Sequence, residues 1–119
     1  MKYLSLGFLT LLLLARSAMA LSVNLAWDYT NSTDAPATGF VMERCTGVNC
    51  TVYSTLSSTI PLTTLTYSDG TVRYTTTYSY RVIAINSQGG KSAPSNVVTF
   101  QTPEAEMTAP TGLSGTVVK

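Results

Sequence analysis

Beyond residue 20 the chain alternates apolar and polar residues with a period of two, the pattern of half-buried strands. Val23-Asn24-Leu25-Ala26-Trp27 puts Val23, Leu25 and Trp27 on one face. A loop rich in Asn, Ser, Thr, Asp, Pro and Gly follows over residues 31–39, and Phe40 to Cys45 forms a second run. Thr46-Gly47-Val48-Asn49 predicts a short turn, and Cys50 to Leu56 a third strand returning from it. Leu65-Thr66-Tyr67 predicts a short fourth strand, reached after Pro61 and left at Ser68-Asp69-Gly70. The longest alternating run is Tyr78 to Asn86. Ser87 to Lys91 predicts a hairpin turn in which Gly89 and Gly90 are both free to take positive φ. Asn96 to Thr102 is the last strand of the series, with Val98 and Phe100 inward. No segment holds a helical period for three turns. Short strands with turn signals about every ten residues predict an all-β, antiparallel sandwich.

The two ends depart from this pattern. Residues 3–15 are an almost unbroken apolar run after Lys2, followed by Arg16-Ser17 and the small-x-small triplet Ala18-Met19-Ala20. The run is too short to span a bilayer comfortably, which takes about 20 residues. Charged start, short apolar centre and small-residue end are the three parts of a secretory signal. Residues 1–20 are therefore expected to be a signal peptide cleaved after Ala20, an uncleaved anchor being the competing reading. No cysteine follows the run to carry a lipid. The mature chain then begins at Leu21, is secreted to the periplasm or the extracellular space, and has no stable membrane insertion. Residues 21–102 hold the strands. Residues 103–110 read as an extended linker, and 111–119 as one further strand.

Composition narrows the function classes. Removing the leader leaves Arg44, Arg73, Arg81, Lys91 and Lys119 against Asp28, Asp34, Asp69, Glu43, Glu104 and Glu106, a net charge of −1. No basic surplus exists to neutralise a phosphate backbone, so no nucleic-acid partner is expected. The chain has no histidine, the commonest general base and metal ligand. Two cysteines cannot fill a four-ligand zinc site. Asp28, Asp34 and Asp69 are scattered, so neither a glycosidase pair nor a calcium loop is supported. Ser and Thr lack a credible base. No catalytic, cofactor-binding or metal residue is expected, and no cofactor. Asn31-Ser32-Thr33 and Asn49-Cys50-Thr51 match glycosylation sequons but read first as turn asparagines. Twenty Thr and seven Tyr reinforce the β prediction.

Several of these segments, in this order and spacing, resemble the fibronectin type III domain from about Val23 to Thr102. Trp27-Asp28 stands where that family keeps its core tryptophan. Gly39-Phe40-Val41-Met42-Glu43-Arg44 is similar to its third strand in bacterial examples. Tyr67-Ser68-Asp69 through Val72 is similar to the exit of its strand E. Thr76 to Asn86 resembles its Tyr-x-Tyr-Arg-Val-x-Ala-x-Asn strand F nearly residue for residue, and Gly90 to Asn96 its following turn. The resemblance implies an immunoglobulin-like sandwich, a single secreted module of bacterial type, with Trp27, Tyr78, Tyr80 and Val82 in the core. Tyr78 would be the tyrosine corner, its hydroxyl bonded to upstream backbone. Glu43 and Arg44 alternate across the second strand and are expected to be partly exposed sheet-face residues, pairing with neighbours such as Arg81.

Cys45 and Cys50 fall at neighbouring ends of the second and third strands, away from the immunoglobulin bridge positions. An even cysteine count in a secreted chain favours a disulfide between them, with a gain of about 1–2 kcal/mol for so small a loop. A redox-active pair is disfavoured by the four intervening residues and the lack of a helix N-terminus.

The family's strand A, normally ahead of the tryptophan strand, has no room after Ala20. Residues 109–117 look like such a strand in the wrong place. Three fates stand open for them: a frayed tail, folding back into the molecule, or donation to a neighbour in a homo-oligomer. Overall the chain reads as a non-catalytic exported adhesion or interaction module that binds protein or glycan through loops or sheet edges. The alternative is a structural spacer or a fragment of a larger multi-module secreted enzyme or surface protein.

Overall fold

Across residues 20–119, the span described by a computed structural model, every regular element is a strand. In chain order they are β1 (Val23–Ala26), β2 (Gly39–Thr46), β3 (Ser54–Pro61), β4 (Thr66–Asp69), β5 (Thr77–Ile85) and β6 (Val98–Gln101). A two-stranded sheet, β1-β4, packs on a four-stranded sheet of order β3-β2-β5-β6, and all pairs are antiparallel. The expected signal peptide, apart from Ala20, lies outside the described residues.

The β2–β5 pair is the spine. Its register runs unbroken from Gly39↔Ile85 to Thr46↔Tyr78. Alternation sends Phe40 and Met42 of β2 and Tyr78, Tyr80 and Ala84 of β5 to the inner face, and all five are buried. Phe40 is held from above by Trp27 and Tyr29, with ring centroids 5.4 and 5.2 Å away, both edge to face. Gly39 is glycine for a steric reason: a Cβ there would meet the Ile60 carbonyl oxygen at 2.7 Å.

Several boundaries differ from the sequence reading. β3 begins at Ser54 instead of Cys50, because the ladder to β2 starts only at Arg44↔Ser54 and is shifted by irregularities between Phe40 and Glu43. β4 runs to Asp69, which pairs with Val23. β6 begins at Val98, not Asn96. Upstream of it, Ser92 and Ser95 hydroxyls accept the Ala84 and Val82 amides of β5, both at 2.9 Å. The Ser92 and Ser95 amides still donate to the Ala84 and Val82 carbonyls at 2.9 Å, so the hydroxyls replace only the backbone acceptors, on either side of Pro94, which has no N–H to give. Of the two glycines in the Ser87–Lys91 turn, Gly89 has positive φ, 82°. Gly90 lies instead against the Asn86 side chain, whose Oδ1 accepts the Gly90 amide at 2.8 Å.

One expectation holds in direction but not in burial, and a second needs correction. Val98 and Phe100 do point to the inner face, since they pair with Tyr80 and Tyr78, yet they are 37% and 41% exposed. Residues 111–119 form no strand: the last backbone contact is at Pro103, whose carbonyl accepts the Thr75 amide at 2.9 Å, and from Glu104 onward every residue is exposed and pairs with no strand among the described residues. A lone extended segment without a partner leaves its backbone to water, so strand propensity alone does not order it.

Candidate interaction surface

One end of the sandwich is closed by a polar pin. Asp69, at the end of β4, is 2% exposed and reaches the opposite sheet. Its Oδ2 accepts Arg44 Nη1 at 2.9 Å and the Tyr80 hydroxyl at 2.7 Å. Its Oδ1 accepts the Thr71 amide at 3.0 Å and the Thr71 hydroxyl at 2.6 Å. Arg44 also donates to Thr71 Oγ1 at 2.8 Å and stacks 4.8 Å above the Tyr78 ring. Burial alone would raise the Asp69 pKa, but the four donors outweigh it and hold the carboxyl below its ordinary value. Burial, then the hydrogen bond to Asp69, pushes the Tyr80 phenol above its ordinary range. Burial works against the Arg44 charge, yet the contacts with Asp69 leave its pKa raised. Every charged group here is committed to a contact that joins the sheets. Arg44 is partly exposed as the sequence suggested, its side chain 19% accessible, but it turns inward and pairs with Asp69 instead of a neighbour on the sheet face. It shares the even-numbered parity of Phe40 and Met42, and that parity was the available signal. Asp69 was passed over because its partners lie 11 and 25 residues away in sequence.

Tyr78 and Tyr80 are buried, at 3% and 1% exposure. The Tyr78 hydroxyl accepts the Arg73 amide at 2.8 Å, the upstream backbone bond of a tyrosine corner. Trp27 and Val82 are only partly buried against the core. The indole Nε1 of Trp27 is buried without a hydrogen-bond partner. Cys45 and Cys50 are joined in a disulfide.

The outer face of the four-stranded sheet carries Glu43, ion-paired to Arg81 at 2.7 Å, and Arg81 lies 4.0 Å over the Tyr53 ring. Beside them Val41, Ile83 and Ile85 floor a shallow groove edged by Gly89 and Lys91.

The opposite side of the molecule from β4 is unfilled. Among the described residues β1 pairs with β4 and with no other strand. Beside its other edge runs a seam lined by Leu25, Trp27, Tyr80, Val82 and Val98, continuing along Tyr29 past Phe40. With Phe100 exposed below, this seam presents both unpaired backbone and apolar side chains.

Solved structures share this arrangement. A myokine structure superposes with a TM-score of 0.55 at 26% identity, covering 71% of this chain and 85% of that one. The twitchin kinase region from C. elegans, a chain with fibronectin and immunoglobulin modules, gives a TM-score of 0.59 at 19% identity over 76% of this chain and 16% of that one. The fold is fibronectin type III-like. No family model and no curated protein matches the sequence. In fibronectin type III order, β1 stands as strand B, and the seam is the place beside it that strand A takes in the family. Among the described residues, the two-stranded sheet thus has no counterpart of the first strand in the family's three-stranded sheet.

Proposed function

We propose that the mature chain is an exported, non-catalytic interaction module that engages protein through the edge of β1 and the seam beside it. The reading is carried by the exposure of Val98 and Phe100 on what is otherwise the inner face of a sandwich. A free strand edge offers alternating N–H and C=O groups, and these match an extended peptide in the manner of strand addition. A glycan would meet mostly apolar side chains there. The disulfide and the fibronectin type III-like fold support an extracellular setting, and residues 1–20 the route to it.

Trp27, the single tryptophan, lines the seam and reports on it. Binding of an extended partner should shift its emission to the blue in a saturable way, and Phe100→Ser should weaken that binding. Titration against surface proteins, extended peptides and cell-wall glycans tests this. Saturable binding that Phe100→Ser leaves intact, or binding of glycans alone, would overturn the seam reading. A spacer would bind none of them. The likeness of residues 109–117 to the first strand of a module favours that second reading, and a downstream coding sequence with another Trp strand and Tyr-x-Tyr-Arg-Val strand would establish it.

A further inference from the structure

We propose that the seam is filled by residues 111–118 of a second copy of this chain, laid antiparallel along the free edge of β1. The inference deepens the protein-binding reading above and rests on the same removal of residues 1–20.

The acceptor is half a sandwich wall. β1 has β4 on one side and no described strand on the other. Opposite that vacancy Val98 and Phe100 stand 37% and 41% exposed, although their pairing partners Tyr80 and Tyr78 are among the most buried residues of the chain. An inner face left wet in this way needs one more strand with apolar residues at alternate positions.

The donor has that pattern. Leu113, Gly115 and Val117 fall on one face, and Ser114 and Thr116 on the other. In the single chain Leu113 and Val117 are 99% and 96% exposed, and among the described residues no backbone hydrogen bond holds any residue beyond Pro103. Two apolar side chains on one face of a segment that forms no structure alone are what a donated strand requires. Neither surface carries a run of like charge to oppose the contact.

Geometry selects the neighbour over the same molecule. β6 ends at Gln101 beside Thr77, and the Arg44–Asp69 pair links that end of the sandwich to Val23 at the start of β1. The tail therefore leaves at the Val23 end. A strand antiparallel to β1 must start at the Trp27 end. Residues 103–111 would first have to run the length of the sandwich, about 30 Å for a strand such as β5, and fully extended they reach about 30 Å. No slack remains for the reversal, and Pro103 and Pro110 stiffen the span further. A tail from another molecule approaches from the Trp27 end without restriction. Reciprocal exchange gives a closed dimer, and one-way donation gives head-to-tail chains.

The test uses exported protein whose N-terminus is sequenced first. The full mature chain is compared with Leu113→Asp/Val117→Asp, and with a chain lacking residues 108–119, neither of which removes a hydrogen bond seen in the fold. Sedimentation should show concentration-dependent association of the full chain and monomers for both variants, with Trp27 emission shifted to the red in the variants. A synthetic peptide of residues 108–119 should bind the truncated chain, restore the emission and raise its melting temperature. A full chain that is monomeric at all concentrations overturns the proposal; if the double variant then melts lower, the tail folds back on its own molecule. Equal association of full chain and double variant places the contact elsewhere and overturns it too. Retention of Met1 would instead remove the export reading, and the proposal with it. Binding of other proteins at the seam by a monomeric full chain would leave the broader interaction reading standing without this one.

Discussion

The two flanks of this sandwich solve the same problem in opposite ways. On the β4 flank the inner face is sealed: Asp69 crosses to the other sheet and takes four hydrogen bonds from Arg44, Tyr80 and Thr71. On the β6 flank no side-chain hydrogen bond or ion pair joins the two sheets among the described residues, and the Phe100 ring lies 6.3 Å, between centroids, from that of Tyr80. Both flanks belong to one continuous four-stranded sheet, so sheet pairing does not explain the difference. What differs is the second layer, which has β4 on one flank and no described strand on the other. This small sandwich therefore has its buried polar contacts on one side, and on the other the open flank where we propose a second copy docks.

The largest effect expected from breaking this contrast is at the pin. Asp69→Ala strands the Arg44 guanidinium and the Tyr80 hydroxyl between the sheets and should cost about 3–5 kcal/mol, read as a lower midpoint in urea unfolding. Phe40→Ala should match it, through the cavity left beneath Trp27 and Tyr29. Trp27→Ala should cost less than Phe40→Ala, because Trp27 is only partly buried; an equal or greater loss would mean that the seam is filled under the conditions of measurement.

The pin also predicts how stability follows pH. The folded-state pKa of Asp69 is depressed, so its contribution is fully present above the unfolded value of about 3.9 and is lost as pH falls through the lower folded value. The folded-state pKa of Tyr80 is raised, so its contribution is fully present below about 10 and is lost as pH rises beyond that. Thermal melts should show a plateau between these limits. Asp69→Asn should flatten the acid side, and Tyr80→Phe the alkaline side; an unchanged acid limb in Asp69→Asn would assign acid unfolding to another carboxylate.

Opening the disulfide should matter less. Cys45→Ser with Cys50→Ser releases a loop with a sequence separation of 5 and should cost about 1–2 kcal/mol, seen as a small drop in melting temperature.

How much of this the sequence discloses depends on whether the cause is local. The β2–β5 spine was legible because the alternation of Tyr78–Asn86 and the apolar start of Phe40–Cys45 are local patterns, and the tyrosine corner because its parts lie five residues apart. The partner of Arg44 was misread because its charge was weighed above its parity. The late starts of β3 and β6 come from a register shift and from two serine hydroxyls standing in for backbone, neither of which alters hydropathy. The pin was illegible because Asp69 meets Arg44 and Tyr80 only after the sheets pack. The seam was foreseen as a missing strand and Val98 and Phe100 as inward, but not the consequence, that both stay wet.

The smallest expected effect sharpens the comparison most. In an isolated molecule Phe100→Ser removes a ring that is 41% exposed, so it should cost well under the roughly 3–5 kcal/mol of Phe40→Ala. That difference is a property of the unfilled flank and should not be constant. If tails from other molecules fill the seam, Phe100 becomes an interior residue whenever the protein is concentrated, and the penalty of Phe100→Ser should grow with protein concentration while that of Phe40→Ala stays fixed. Melting both variants and the parent chain across a dilution series reads this directly. A Phe100→Ser penalty that is small and independent of concentration would show the β6 flank to be a surface that no second copy covers.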